Sequence, residues 1–168
     1  TFSILILDVS GSMKKKYEDL FNLANKIISK QMINKENEGV VILFGDYAKA
    51  IINGQYRLLT LADIQIAEVG GGTDFYKAFK EAKKYINNKN EFMNKRILFL
   101  TDGISSSSRL KPICDRMTKE NFQINIVGFG NSSRFEHLRQ FSSPKCFFTS
   151  QNFKEIETIC QNIFAAEY

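Results

Sequence analysis

The chain has 168 residues, of which 43% are hydrophobic and 24% are charged, and its formal net charge is +5. This balance is typical of a folded globular domain and excludes disordered and low-complexity chains. No apolar run approaches the roughly 20 residues that a membrane-spanning helix needs, so we predict no membrane insertion. A chain of this length is expected to form one core, which predicts a single domain over residues 1–168.

The distribution of charge and cysteine narrows the range of partners. Lys and Arg are scattered along the chain, with one tight run at 14–16, whereas nucleic-acid-binding domains concentrate them, so no nucleic-acid partner is predicted. Cys114, Cys146 and Cys160 form no CxxC pair, and we expect single buried thiols, which favour a cytoplasmic over an extracellular location. The chain begins at Thr1 within an apolar run, and we expect it to be excised from a longer protein.

The first half of the chain alternates apolar runs with amphipathic stretches. Continuous runs of Ile, Val, Leu and Phe predict strands buried on both faces at 4–7 and 39–44. A weaker strand at 50–56 follows after a turn that is too short for a crossover helix, so these two strands are expected to pair antiparallel. Apolar residues at helical spacing predict a long helix over 17–28 and another over 75–86.

The second half continues this alternation and defines the fold class. Strands that alternate with helices predict an α/β fold, a Rossmann-like three-layer sandwich with helices on both faces of a mostly parallel six-stranded sheet and one antiparallel edge strand. In such sheets a ligand binds outside the carboxyl ends of the strands, where the strand order reverses. The expected strands lie at 97–100, 124–127 and 146–149, and the expected helices lie near 110–117, 135–138 and 153–164.

Three loops at this predicted edge carry five side chains with oxygen atoms. Asp8, Ser10 and Ser12 come directly after the first strand, Thr73 lies in a glycine-rich loop before a helix, and Asp102 follows the fourth strand. Oxygen ligands without His or Cys suit a hard cation such as Mg²⁺, with Mn²⁺ or Ca²⁺ as substitutes, and do not suit zinc. Since only two of the five are carboxylates, a bound cation would remain electrophilic.

The motifs DVSGS, GGGTD and LTDG, in this order and on these elements, resemble the von Willebrand factor A (VWA) domain with its metal-ion-dependent adhesion site (MIDAS). The resemblance covers essentially the whole chain, including NIVGFG at a strand end. It implies that Ser10, Ser12 and Thr73 coordinate the metal directly and that Asp8 and Asp102 act mostly through water or hydrogen bonds. It also implies that a Glu or Asp carboxylate of a protein partner completes the shell of the metal.

Each of these residues also has an ordinary structural role when it is considered alone. Asp8 can end a strand, Ser10 or Ser12 can cap a helix, and Asp102 before a glycine can form a turn. Asp74 is expected to cap the helix that follows it. The joint position of five oxygen-bearing side chains at one sheet edge nevertheless favours a metal site.

This sequence lacks the key residues of enzymes that have comparable loops. A haloacid-dehalogenase phosphatase needs an Asp where Ser10 stands, and a phospho-receiver domain needs a Lys where the chain has glycine and phenylalanine at 128–130. The sequence contains neither a P-loop nor a nucleophile elbow, and its one histidine, His137, is expected on the surface. We therefore predict no catalytic activity for the domain itself.

The predicted function is divalent-metal-dependent, adhesion-type binding of a protein partner by a domain that is monomeric in isolation. A regulatory or scaffolding VWA module within an intracellular multidomain enzyme or complex is the alternative, and a metal-dependent hydrolase is a less favoured third. Lys14, Lys15 and Lys16 border the predicted site, where they form a solvated helix start or steer an acidic partner towards the metal.

Overall fold

The computed structural model of the protein describes residues 1–165. The strands are β1 (Phe2–Asp8), β2 (Glu38–Phe44), β3 (Ala48–Gly54), β4 (Lys95–Thr101), β5 (Gln123–Phe129) and β6 (Phe147–Ser150). The helices are α1 (Tyr17–Met32), α2 (Ala62–Ala67), α3 (Phe75–Lys83), α4 (Lys111–Lys119), α5 (Ser132–Phe135) and α6 (Phe153–Ala165), with 3-10 turns at Gly11–Lys16 and Glu136–Phe141. The sheet order is β3-β2-β1-β4-β5-β6, and only β3 pairs antiparallel, which confirms the predicted fold class.

Alternate residues of β1 point to opposite faces of the sheet and build two apolar cores. Leu5 and Leu7 join the core that α1 and α6 cover. Ile4 and Ile6 join the core that α3 and α4 cover. All seven residues of β1 are buried, because helices cover both faces of the sheet and β2 and β4 pair with both edges of the strand. The two cores explain the three-layer architecture.

β1 is also the strand at which the order of connections reverses, with β2 on one side and β4 on the other. Since β1 and β4 are parallel, their last residues, Asp8 and Thr101, lie at the same edge of the sheet. Ligands of open α/β sheets bind in the crevice at such a reversal point. The fold therefore brings the loops after β1 and β4 together.

The boundaries of the edge strand differ from the prediction. β3 ends at Gly54, two residues earlier than expected, where the backbone has a positive φ of 113° that a strand does not continue through. Tyr56, predicted as the end of this strand, is instead a core residue whose hydroxyl donates to the Ser3 carbonyl oxygen at 3.1 Å. The tyrosine thus fastens the chain after β3 to the central strand.

Helix α2 was not predicted, because six residues are too few to show a helical period. Asp63 holds it in place. The Asp63 carboxylate accepts hydrogen bonds from the Thr60 backbone N–H at 2.8 Å and from the Arg57 guanidinium at 2.8 and 3.2 Å. The Asp63 side chain is only 4% exposed, so water has little access to the carboxylate of this ion pair. These hydrogen bonds hold the pKa of the Asp63 carboxyl below its ordinary value of 3.8.

Asp63→Asn is expected to lower the free energy of unfolding by about 1–2 kcal/mol at pH 7, because a charged hydrogen bond is lost while Arg57 keeps access to water. A carboxyl with a lowered folded-state pKa stabilises the fold above its unfolded pKa and loses that contribution as the pH falls through the folded pKa. The difference between wild type and variant should therefore shrink below pH 3.8. Urea unfolding at neutral and acidic pH measures it.

Asp115→Asn is the matched control, because the Asp115 partner of Lys111 is 64% exposed and its ion pair is expected to contribute little. An Asp63→Asn effect of the same size at every pH would contradict the assignment to the carboxylate charge.

The three cysteines are buried and unpaired, which confirms the prediction of single thiols. Burial raises the pKa of the Cys114 and Cys160 thiols to about 12. They therefore pack as small apolar groups. Within residues 1–165, no helix has the length and apolar character that crossing a bilayer requires.

Candidate metal centre

Asp8 ends β1 at the carboxyl edge of the sheet and is fully buried. Its Oδ1 accepts a hydrogen bond from the Ser10 backbone N–H at 2.8 Å, and its Oδ2 accepts one from the Thr101 hydroxyl at 2.6 Å. The carboxylate therefore fixes the turn after β1 and ties it to the end of β4. Each carboxylate oxygen has a further lone pair that a water molecule can use.

The two serine hydroxyls meet on the turn after β1. Ser10 Oγ and Ser12 Oγ are 3.1 Å apart, and Ser12 Oγ also donates to Asp102 Oδ1 at 2.8 Å across 90 positions of sequence. Gly11, between the serines, donates its backbone N–H to the Gly71 carbonyl oxygen at 2.9 Å. The turn after β1 thus contacts both of the other loops that the sequence singles out.

Thr73 stands at the start of α3, beside the loop that carries Asp102. A Cβ built on Gly103 would lie 3.0 Å from Thr73 Oγ1, so the threonine packs directly against this glycine. The next residue, Asp74, caps α3 by accepting a hydrogen bond from the Lys77 backbone N–H at 3.0 Å, which confirms its predicted role. The cap fixes the position of Thr73 relative to the helix.

The glycine loop before Thr73 is folded around a carboxylate that the sequence analysis did not single out. Asp46, in the turn between β2 and β3, accepts a hydrogen bond from the Gly72 backbone N–H at 3.1 Å. A Cβ on Gly72 would come within 2.0 Å of this carboxylate, and one on Gly45 would come within 2.2 Å of the Gly70 carbonyl oxygen. Only glycine permits this close approach of the loop to the end of β2.

All five predicted side chains therefore converge at one edge of the sheet. Hydrogen bonds link the segment Asp8–Ser12 to Asp102, and Thr73 joins them through its contact with Gly103.

The electrostatics of this group are negative. Burial raises the pKa of the Asp102 carboxyl above its ordinary value and the nearby Asp8 adds to the rise, while the hydrogen bond from Ser12 and the charge of Arg134 oppose it. Burial likewise raises the pKa of the Tyr17 hydroxyl, with further contributions from both aspartates. Arg134 directs its guanidinium at the Asp102 backbone carbonyl oxygen, at 2.9 Å. Two partly compensated carboxylates favour a cation at this edge.

The donor set fits a hard cation. In the described part of the chain, no three His, Cys, Asp or Glu side chains form a ligand group, so any metal at this edge depends on hydroxyls as well as carboxylates. Three hydroxyls and two carboxylates supply oxygen alone, which Mg²⁺, Mn²⁺ and Ca²⁺ accept. Mg²⁺ keeps several waters in protein sites and leaves room for an outside ligand.

Besides Asp46, sequence reasoning missed three residues that support these loops. Thr101 binds Asp8, and Arg134 binds the loop of Asp102. The Tyr17 hydroxyl donates to the carbonyl oxygens of Val9 at 2.5 Å and Ser10 at 3.2 Å, which holds the turn against α1. Thr101 precedes Asp102 in the LTDG motif and could have been found, whereas Tyr17 and Arg134 depend on the tertiary structure.

His137, expected on the surface, is only partly exposed. Within residues 1–165 its Nε2 atom is buried and has no hydrogen-bond partner. The Ser12 hydroxyl donates its hydrogen bond to the Asp102 carboxylate. A nucleophilic serine of the Ser-His type would instead donate to an imidazole base.

Comparison with known proteins places the chain in a family. The model of the von Willebrand factor type A domain matches residues 4–162. The chain belongs to the VWA family. VWA domains are generally protein-interaction modules without enzymatic activity.

Solved structures share the VWA fold. Proximal thread matrix protein 1 from the mussel byssus, solved with zinc in its MIDAS motif, has a TM-score of 0.68 and 19% identity over 97% of this chain and 44% of its own. BatB from Bacteroides thetaiotaomicron has a TM-score of 0.71 and 15% identity over 99% of this chain and 100% of its own. The pilus adhesin SpaC from Lactobacillus rhamnosus GG has a TM-score of 0.74 and 11% identity over 99% of this chain and 30% of its own. At these identities the likeness shows the fold alone, and this chain spans less than half of the mussel protein.

Proposed function

We propose that this VWA domain binds a protein partner through a divalent cation, preferably Mg²⁺, at its carboxyl edge. Asp8, Ser10, Ser12, Thr73 and Asp102 hold the cation, and an Asp or Glu of the partner completes its shell. The cation supplies one strong directional contact at the centre of the interface, and the surrounding loops supply specificity.

The convergence of three loops on the 2.8 Å contact between Ser12 and Asp102 carries this proposal. Ser12 and Asp102 are 90 positions apart in sequence, and both offer oxygen atoms that can bind a metal. The pKa of the Asp102 carboxyl is raised by burial and by Asp8. With hydroxyls as the direct ligands and both carboxylates acting through water, the cation would keep its attraction for an external carboxylate.

The burial of three of the five residues also supports a division between direct and indirect ligands. Asp8 is fully buried, with a hydrogen bond on each carboxylate oxygen, which suits a residue that acts through water. Ser12 is exposed and Thr73 is half-exposed, which suits groups that contact a metal open to a partner.

The test is a Mg²⁺ titration of chelator-stripped protein followed by amide NMR. Saturable shifts are expected in the loops at 8–13, 70–75 and 102–105. Thr73→Ala removes one hydroxyl at the edge of the site and is expected to weaken Mg²⁺ binding at least about tenfold, since one lost ligand contact is a sizeable part of the affinity.

Thr118→Ala, at an exposed position of α4, is the matched control and should titrate as wild type. Shifts at millimolar Mg²⁺ that are spread over the surface, or equal in wild type and Thr73→Ala, would overturn the metal site.

A further inference from the structure

A groove begins at Thr73 and continues along α3, away from the proposed metal. It consists of two adjoining hollows of about 430 and 670 Å³. Thr73 lines the first, and Tyr76, Lys80, Ser108 and Arg109 line both, so the hollows are continuous. The groove therefore adjoins the proposed metal site, and a partner segment bound at that site can extend into it.

Basic side chains predominate along the groove, and Asp74 adds one carboxylate at the end near Thr73. Lys77, Lys80, Lys83 and Arg109 are exposed along it, and no carboxylate of residues 1–165 forms an ion pair with any of them. Lys84 also lines it but is paired with Glu81 at 2.8 Å. These cations are scattered in the sequence, and the helical spacing of α3 together with the 105–109 loop brings them to one face. Unpaired cations on one face favour an anionic partner through complementary potential.

The groove also has a fixed apolar side. The Arg109 guanidinium lies 3.7 Å from the centre of the Tyr76 ring, a stacking contact that orders both side chains. Pro112 and Ile113 of α4 line the wall beyond them. A ligand segment that fits must therefore combine negative charges with at least one apolar side chain.

We propose that this groove binds an extended acidic segment of the partner, adjoining the carboxylate that reaches the metal. The segment carries several Asp or Glu residues for Lys80, Lys83 and Arg109, with one apolar side chain against Pro112 and Ile113. This inference rests on the proposed function, because the metal contact sets where the segment begins.

A peptide suits the groove better than a nucleic acid. Single-stranded nucleic acids bind by stacking bases on exposed aromatic rings. The Tyr76 ring is half-buried and the Arg109 guanidinium lies over one of its faces, so the ring offers little surface on which a base could stack. The metal edge at the head of the groove also suits the carboxylate of a protein.

The test uses two fluorescein-labelled probe peptides in Mg²⁺, followed by fluorescence anisotropy. One has a single Glu followed by four Asp around one Leu in a Gly-Ser background, and in the other Asn replaces each Asp. The first is expected to bind at least about tenfold more tightly, since several partly exposed ion pairs add to one metal contact. Lys80→Gln, Lys83→Gln and Arg109→Gln together should remove this advantage.

The matched control combines Lys30→Gln, Lys35→Gln and Lys119→Gln, which changes the net charge equally at exposed positions outside the groove. This control should bind the acidic peptide within about twofold of wild type. Equal weakening by both triple variants would show a general charge effect and overturn the groove. A single-stranded oligonucleotide that displaces the peptide at equal charge concentration would overturn the peptide assignment.

Failure of the groove and failure of the metal site are distinguishable. If the groove variant binds the acidic peptide as wild type does while chelator or Thr73→Ala abolishes binding, the groove proposal is wrong and the metal site stands. If binding persists in chelator and in Thr73→Ala but is lost in the groove variant, the metal contact is wrong, and so is the proposed continuity. Absence of acidic-peptide binding at millimolar concentration overturns the groove, and the NMR titration then tests the metal independently.

Discussion

Asp8→Asn is expected to abolish saturable Mg²⁺ binding while it preserves the fold. The asparagine has the shape of Asp8, so its carbonyl oxygen can keep the bond from the Ser10 N–H, and the Thr101 hydroxyl can rotate to accept from its amide. The negative charge that the cation needs is removed. We expect a loss of stability below about 1 kcal/mol and no Mg²⁺-induced shifts in the NMR titration.

Asp8→Ala separates the two roles of this carboxylate. It leaves the buried Ser10 N–H and the Thr101 hydroxyl without their acceptor, at a cost of about 1–3 kcal/mol for each group. Metal binding should be lost together with about 2–6 kcal/mol of unfolding free energy, measured by urea denaturation. If Asp8→Asn bound Mg²⁺ as tightly as wild type, the Asp8 carboxylate would have no role in metal binding. Equal destabilisation by both variants would contradict the hydrogen-bond assignment.

Phe99→Ala is expected to destabilise the domain by about 3–5 kcal/mol, the usual cost of removing a buried aromatic ring. Phe99 is fully buried in β4, and its ring centre lies 5.4 Å from that of Phe44, 5.2 Å from that of Phe75 and 4.8 Å from that of Phe79. The substitution leaves a cavity under the start of α3, where Thr73 is held. Since domains unfold with about 5–15 kcal/mol, the loss is a large fraction of the total.

Phe99→Leu is the graded control, because leucine refills much of the ring volume and should cost clearly less. Urea unfolding followed by circular dichroism measures both variants. A loss below about 1 kcal/mol in Phe99→Ala would mean that the aromatic cluster does not support α3 as its geometry indicates.

The sequence predicted that the candidate residues lie at one sheet edge, because Asp8, Ser10, Ser12 and Asp102 follow strands. A buried apolar run such as that of β1 identifies its own carboxyl end, and parallel pairing then brings Asp8 and Asp102 to one edge. Asp46 and Tyr17 could not be found in this way, because each supports the site through a hydrogen bond to the backbone of another segment. No local sequence pattern indicates such a contact, because it forms only when the chain has folded.

The missed elements have similar physical reasons. α2 is held by the buried carboxylate of Asp63, so its stability comes from tertiary contacts and not from helical periodicity. β3 ends early because Gly54 adopts a positive φ, which the strand pattern through Tyr56 does not reveal. The basic groove was missed because its cations lie on two segments, α3 and the 105–109 loop.

The glycine loop at 70–72 is hydrogen-bonded on two sides, to Gly11 through the Gly71 carbonyl and to Asp46 through the Gly72 N–H. The neighbouring loop after β4 is different, since Ile104 is 67% exposed and Ser106 and Ser108 bond mainly to one another. Under the proposed function, residues 104, 106 and 108 are therefore positions where partner choice can change without altering the glycine loop. A combinatorial library that varies only residues 104, 106 and 108 would select for new partner specificity. The hydrogen bonds of the glycine loop that positions Thr73 would be kept.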